Sequence, residues 1–251
     1  MARTAFADDT QEKGKGPTMF IAKLSKTEGF LALALAFAGA LAFGSNASAD
    51  YRDVERYKVT IVNATKGQPL APGLVITHGR RFSLFKVGDA ATDPLAKMAE
   101  TGDPGDLQTA VSGSTATADI VPGTGGGAPL TLPSESAHVE ITTRANYLTA
   151  VGMLAGTNDA FYAVQRVRLP RRGSVTVYAP AFDAGSEENN EANGDVPASP
   201  AGNASDTGTN VAPKEGFIHV HNGIHGVGDL APATYDWHNP VVLITIERIG
   251  G

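Results

Sequence analysis

Tyr57-Lys58-Val59-Thr60-Ile61-Val62-Asn63 sets Val59 and Ile61 on one side of the chain and Lys58 and Thr60 on the other. A two-residue period of this kind marks a strand with one face buried and one in water. His138-Val139-Glu140-Ile141-Thr142 repeats it, with Val139 and Ile141 opposed to His138 and Glu140. Leu74–Thr77, Tyr147–Leu154, Phe161–Val167, Val175–Ala179, Phe217–His221 and Val241–Ile249 are further β-rich segments. One segment, 93–100 (Asp-Pro-Leu-Ala-Lys-Met-Ala-Glu), reads as helix, with Asp93 suited to the N-cap, Pro94 to the first helical position and Gly102 past the end. About eight strands with Gly-, Pro- and Asn-rich connections and one short helix predict an all-β protein, an antiparallel β-sandwich with long loops.

The residues ahead of these strands read as an address. Lys13, Lys15, Lys23 and Lys26 precede an apolar run from Phe30 to Phe43, and Ala47-Ser48-Ala49 offers a small-x-small cleavage site. This predicts a secretory signal peptide over residues 1–49, with release before Asp50. The run is shorter than the ~20 apolar residues of a membrane span, so no span is expected after cleavage. The whole chain carries 20 basic and 26 acidic residues; the 5 basic and 4 acidic residues of the leader leave 15 against 22, a net charge of −7. An acidic protein repels nucleic acid, which removes that class of partner. There are no cysteines. An exported protein without disulfides relies on its hydrophobic core, on bound metal, or on both. That pattern fits a bacterial secreted, periplasmic or cell-surface protein.

Two stretches read as irregular. Gly123-Thr124-Gly125-Gly126-Gly127 lacks the Lys-Ser/Thr that follows a phosphate loop and suits a hairpin tip or connection. Residues 187–214 are rich in Glu, Asn, Gly, Pro, Ser and Asp with almost no apolar content, which predicts a mobile acidic loop inserted within a single domain of residues 50–251.

Two carboxylate-bearing turns bracket the strand segment 174–180 (Ser-Val-Thr-Val-Tyr-Ala-Pro): Thr157-Asn158-Asp159-Ala160-Phe161 before it and Phe182-Asp183-Ala184-Gly185-Ser186-Glu187 after it. Oxygen ligands offered from loops at one end of a sandwich suit a calcium-type ion. Clustered carboxylates repel and raise one another's pKa unless a hard dication neutralises them. The alternative is that each Asp makes a side-chain turn with its own backbone.

The wording of these turns resembles the spondin domain, the N-terminal β-sandwich of F-spondin and mindin. Its Met-x-x-x-(Ser/Thr)-x-Asp turn is matched by Met153, Thr157 and Asp159, and its Tyr-x-x-(hydrophobic)-Asp-Ala-Gly-(Thr/Ser)-(Asp/Glu) element by Tyr178, Asp183, Ala184, Gly185, Ser186 and Glu187. The resemblance spans roughly Tyr57–Ile249. It implies a C2-like sandwich holding calcium through Asp159 and Asp183, with Glu100 of Met98-Ala99-Glu100-Thr101-Gly102 as a third ligand, matching the family's Ala-Glu-x-Gly element. The animal domains read Ser-Pro-Asp-Trp at the first turn, where this chain has Thr157-Asn158-Asp159-Ala160. That departure weakens the carry-over of their adhesion and receptor-binding roles.

A second constellation runs from Phe217 to Asp229 and contains His219, His221 and His225 among Gly223, Gly226 and Gly228. His219 and His221 share a face of an extended segment. They either satisfy backbone groups in a tight turn or, with His225 and with His78 of Ile76-Thr77-His78-Gly79, bind zinc or copper. Asp229-Leu230-Ala231-Pro232-Ala233-Thr234-Tyr235-Asp236-Trp237 resembles an element of the family's bacterial branch, and its lone Trp reads as a structural plug. Gly-x-Ser-x-Gly, His-Glu-x-x-His and Cys are all absent. The expectation is a non-enzymatic, calcium-binding module for cell-surface or extracellular adhesion, with a protein or polysaccharide ligand. The alternative is a metalloenzyme or transition-metal protein built on the histidines.

Overall fold

The computed structural model describes residues 53–113, 116–121, 123, 130–198 and 214–251. The expected signal peptide, most of the 123–127 connection and residues 199–213 of the acidic stretch lie outside the described residues.

The chain folds as an all-β sandwich of two antiparallel sheets. The first, of four strands, is ordered β4-β1-β10-β7 and is formed by β1 (Glu55–Asn63), β4 (Ser136–Thr143), β7 (Ser174–Ala179) and β10 (Val242–Gly250). The second, of six strands, is ordered β3-β2-β5-β6-β8-β9 and contains β2 (Gly73–His78), β3 (Thr117–Val121), β5 (Tyr147–Met153), β6 (Ala160–Arg168), β8 (Ala181–Asp183) and β9 (His219–Val220). Three short helices accompany them among the described residues: α1 (Asp93–Thr101), α2 (Gly105–Ser112) and α3 (Pro232–Tyr235).

The alternation in β1 becomes packing. Tyr57, Val59, Ile61 and Asn63 point inward, and across the ladder Val59 faces Ile246 while Ile61 faces Ile244. These side chains meet Val75, Leu148, Ala150 and Tyr162 of the second sheet in the inter-sheet core. Strands β2 and β5 behave differently, being buried on both faces except at Tyr147. Their other face, through Leu74, Ile76, Val151 and Met153, packs on Leu95, Met98 and Ala99 of α1 and on Leu107 and Val111 of α2. The centre of the molecule is therefore three layers deep, sheet on sheet on helices.

The sequence omitted two helices and two strands. The α2 helix begins on Gly105 after Pro104 and offers Leu107 and Val111, one helical turn apart, to the core. Strand β8 has three residues, and β9 is shorter than the expected Phe217–His221. The N-cap of α1 is Thr92 rather than Asp93, and Asp93 supplies instead a carboxylate in the first turn, where the helix dipole favours it. Among the described residues no helix is long and apolar enough to cross a membrane.

The acidic stretch differs from its expected unpacked form over residues 187–198. Val196 is wholly buried, and the Ala198 N–H donates to Ala155 O at 2.8 Å. Asn158 holds the segment from beneath: its Oδ1 accepts from the Glu191 N–H at 3.2 Å and its Nδ2 donates to Asn190 Oδ1 at 3.1 Å. Hydrogen bonds to buried polar groups do here what apolar burial does elsewhere.

Candidate functional site

The site sits where the β5–β6 turn meets the end of β8. Thr157 closes the turn from within: its hydroxyl donates to Leu154 O at 2.6 Å and accepts from the Ala160 N–H at 3.0 Å. Asp159 then stands at the mouth of β6, and the register pairs Ala160 with Asp183, which brings the two carboxylates together. Asp159 is fully buried and Asp183 is 1% exposed.

The Asp183–Glu187 turn wraps the first carboxylate with donors. Asp159 Oδ2 accepts from the Ser186 N–H at 2.8 Å, the Ser186 hydroxyl at 3.2 Å and the Glu187 N–H at 3.1 Å. Asp183 Oδ1 accepts from the Gly185 N–H at 2.7 Å, and its Oδ2 accepts from Asn189 Nδ2 at 2.6 Å. Gly185 adopts φ +66°, and a Cβ there would lie 2.4 Å from Phe217 O, so only glycine fits. Asp159 Oδ1 is different: it is buried and accepts from no donor among the described residues, and the Asp159 carboxyl instead meets that of Asp183.

Burial, followed by the neighbouring Asp183 charge, pushes the Asp159 pKa up to about 8. Burial likewise raises Asp183. Glu187 is wholly buried in the same turn. Glu100, at 5% exposure on the inner side of α1, lines with Ala184, Gly185 and Ser186 a cleft of about 550 Å³ that opens beside the turn. The fold thus brings Asp159, Asp183 and Glu187 to one turn and sets Glu100 on the adjoining wall. No three His, Asp or Glu side chains are already gathered as a metal-ready cluster among the described residues.

The histidines divide. His221 is buried, and its two ring nitrogens are both engaged: Nδ1 accepts from the Gly223 N–H at 3.0 Å, and Nε2 meets Asn189 Oδ1 at 3.1 Å. With Nδ1 an acceptor, the ring proton sits on Nε2 and is donated to Asn189. Burial, then the charges of His219 and His225, lower the His221 pKa to about 4, so the ring is neutral at pH 7. Its Nε2 lies 3.7 Å from Asp183 Oδ2, and His219 Nδ1 lies 3.9 Å from Asp183 Oδ1. His225 is exposed, and its backbone N–H is bound by Glu191. His78 is far from all three: it ends β2 opposite Tyr147, at the end of β5 remote from Met153, and bonds to Thr149 and Gly79. Trp237 is 8% exposed and lies against His221 with ring centroids 5.0 Å apart, the place of a plug.

Two further residues of the site, Asn189 and Glu191, escaped the sequence reading. Glu187 was legible as the acidic position of the turn. Asn189 links Asp183 to His221 through its amide. Glu191, 2% exposed, accepts from the N–H groups of His225, Gly226 and Val227 at 2.6, 2.7 and 3.0 Å, a backbone nest for its carboxylate. Only the Gly-rich character of 223–228, which lets successive N–H groups turn inward, signalled that nest.

Compared with models of known protein families and with curated proteins, the chain matches none.

Proposed function

We propose that the protein is an exported calcium-binding β-sandwich that serves as a binding or adhesion module outside the cell membrane. The observation that carries this reading is the pair Asp159 and Asp183, two buried carboxyl groups in contact, with Asp159 Oδ1 accepting from no donor among the described residues. Such a pair costs free energy when both members are ionised unless a cation meets them; without one, a proton held on Asp159 and shared with Asp183 relieves the cost. Asp159 and Asp183 would hold the ion, Glu187 lies in the same turn, and Glu100, on the wall of the adjoining cleft, would have to move toward them to join. The donors are all oxygens, which suits a hard cation. Bound calcium would neutralise the repulsion between the carboxylates and fix the β5–β6 and β8–β9 connections, which present the recognition surface.

A transition-metal reading draws on His219 and His221, each within 4 Å of Asp183. Ligation by His221 would cost it the bonds to Asn189 or Gly223, and a structural role for that ring needs no such loss. Calorimetric titration of the full chain tests the choice. One calcium per chain, with weaker or no zinc binding, is the expected result; zinc bound more tightly and lost in His221→Ala would reverse it.

A further inference from the structure

The end of the sandwich opposite these carboxylates is built from arginine. Arg80 and Arg81 follow β2 directly, Arg144 sits in the turn between β4 and β5, Arg166 and Arg168 end β6, and Arg171 and Arg172 occupy the β6–β7 turn. These segments adjoin one another. Tyr147 pairs with both His78 and Arg168, the Leu169 N–H donates to Asn146 O at 2.9 Å, and the Thr143 and Thr77 hydroxyls lie 3.1 Å apart. All seven arginines are exposed. None makes an ion pair or side-chain hydrogen bond among the described residues, whereas Arg56 and Arg248 at the same end are paired to Glu140 and Glu55. The remaining carboxylates nearby are Asp53, Asp119 and Glu247. Every described arginine lies at this end; of the described lysines, Lys58 sits in β1 between Glu140 and Glu247, and Lys66, Lys86, Lys97 and Lys214 lie elsewhere. In a protein that is acidic as a whole, this segregation opposes the background.

The backbone bends to serve the same end. Register slips between Leu148 and Ala150, where Thr149 faces the extra residues of β6, and Arg166 takes φ +57°. A left-handed arginine is costly, and the Thr149 hydroxyl, which accepts from its N–H at 3.2 Å, holds it there. Bulges of this kind re-aim side chains, and here Arg166 and Arg168 both reach solvent.

We infer that this arginine end binds an anionic polysaccharide, a polymer carrying spaced sulfate or carboxylate groups. Guanidinium forks match such groups two bonds at a time, which ammonium groups do not. A bilayer would call for an apolar wedge among the loops, and a nucleic acid for aromatic platforms. The most exposed aromatics, Tyr178 and Phe217, belong instead to the other end, next to last in β7 and just before β9, while Phe82 and Tyr147 at the arginine end are half-buried against His78. The inference supplies a ligand class for the binding module proposed above but uses none of the calcium-site residues.

The test is binding of the full chain to heparin, as the sulfated probe, and to polygalacturonate, as the carboxylated one, each measured in calcium and again in chelator. Salt-sensitive binding to at least one polymer is expected, and the probe preferred identifies the anion. R171S/R172S and R80S/R81S should each weaken it about tenfold or more, the loss of at least one charge-assisted contact, while K66S/K97S leaves it unchanged. Binding in calcium only would fault its independence from the carboxylate site, whereas failure of the calcium reading would appear in the metal titration alone. Neither polymer bound, equal loss in K66S/K97S, tighter binding to duplex DNA or phosphatidylglycerol vesicles, or arginine-dependent self-association in place of polymer binding would each overturn the inference.

Discussion

A single oxygen atom distinguishes two roles for Asp159. Its Oδ2 is a structural acceptor for three donors of the Ser186–Glu187 turn, and its Oδ1, which no donor reaches among the described residues, is the oxygen the proposed cation would meet. Asp159→Asn can keep the first role with its amide oxygen and abolish the second. The variant is expected to fold, to match or exceed the native melting temperature in chelator because one member of a repelling pair is gone, and to bind calcium about tenfold or more weakly, since affinity follows ligand charge. Calorimetric titration beside a melting curve reads both effects. His221→Ala should do the reverse: it strands Asn189 Oδ1 and the Gly223 N–H, lowering stability by about 1–3 kcal/mol, with calcium stoichiometry unchanged. Denaturant unfolding of the two variants separates the roles. Asp159 and Asp183 were legible because Asp in a short turn beside a strand end is a visible pattern. Asn189 and Glu191 were not, because their partners lie 32 and 34 residues away in the chain at His221 and His225.

Elements were legible in proportion to how one-sided their burial is. Strands β1 and β10 alternate because one face meets the core and the other meets water. Strands β2 and β5 lie between the opposite sheet and the helices, so they appear only as apolar runs. β8 and α2 are too short to show a period, and exist because Ala181, Leu107 and Val111 find burial in the finished fold. The acidic segment was misread for a sharper reason: counting apolar residues cannot detect a chain held by Asn158, by Asn190 bonding Asp195 at 2.7 Å, and by the Glu191 nest. Glu191 holds φ +54° and its carbonyl accepts from Asp229 at 2.9 Å, close enough that a Cβ on Gly228 would lie 2.6 Å from the Glu191 oxygen. Glu191→Ala leaves three N–H groups without their carboxylate and should cost about 1–3 kcal/mol. Hydrogen exchange should then accelerate at His225, Gly226 and Val227, while exchange in β1 and β10 follows only the global change. Unaltered exchange at those amides would show that the nest does not hold the segment.

For the whole molecule the buried ionisable groups set a pH dependence whose sign follows from their shifts. Asp159 and Asp183 are raised on folding, so the folded chain binds more protons than the unfolded one and loses stability as pH rises toward about 8. His221 is lowered to about 4, so stability is lost as pH falls from 6.5 toward that value. The two trends oppose each other below pH 6.5. Between pH 6.5 and 8 the raised Asp159 still acts while His221 no longer does, so the protein in chelator should become less stable across that window. Calcium should reverse the slope, because it binds the ionised pair and releases protons on doing so. Chemical denaturation at pH 6.5 and 8, with and without the ion, reads this directly.

The central claim, that the Asp159–Asp183 turn is a calcium site holding an exported sandwich together without disulfides, is tested most directly by thermal unfolding of the full chain at pH 8 in calcium and in chelator. An ion at ~100-fold over its Kd that binds only the folded chain adds about 2.7 kcal/mol, which for a domain of this size raises Tm by roughly 5–10 °C. Asp159→Asn should lose most of that shift. Superimposable native curves in calcium and in chelator would contradict the claim.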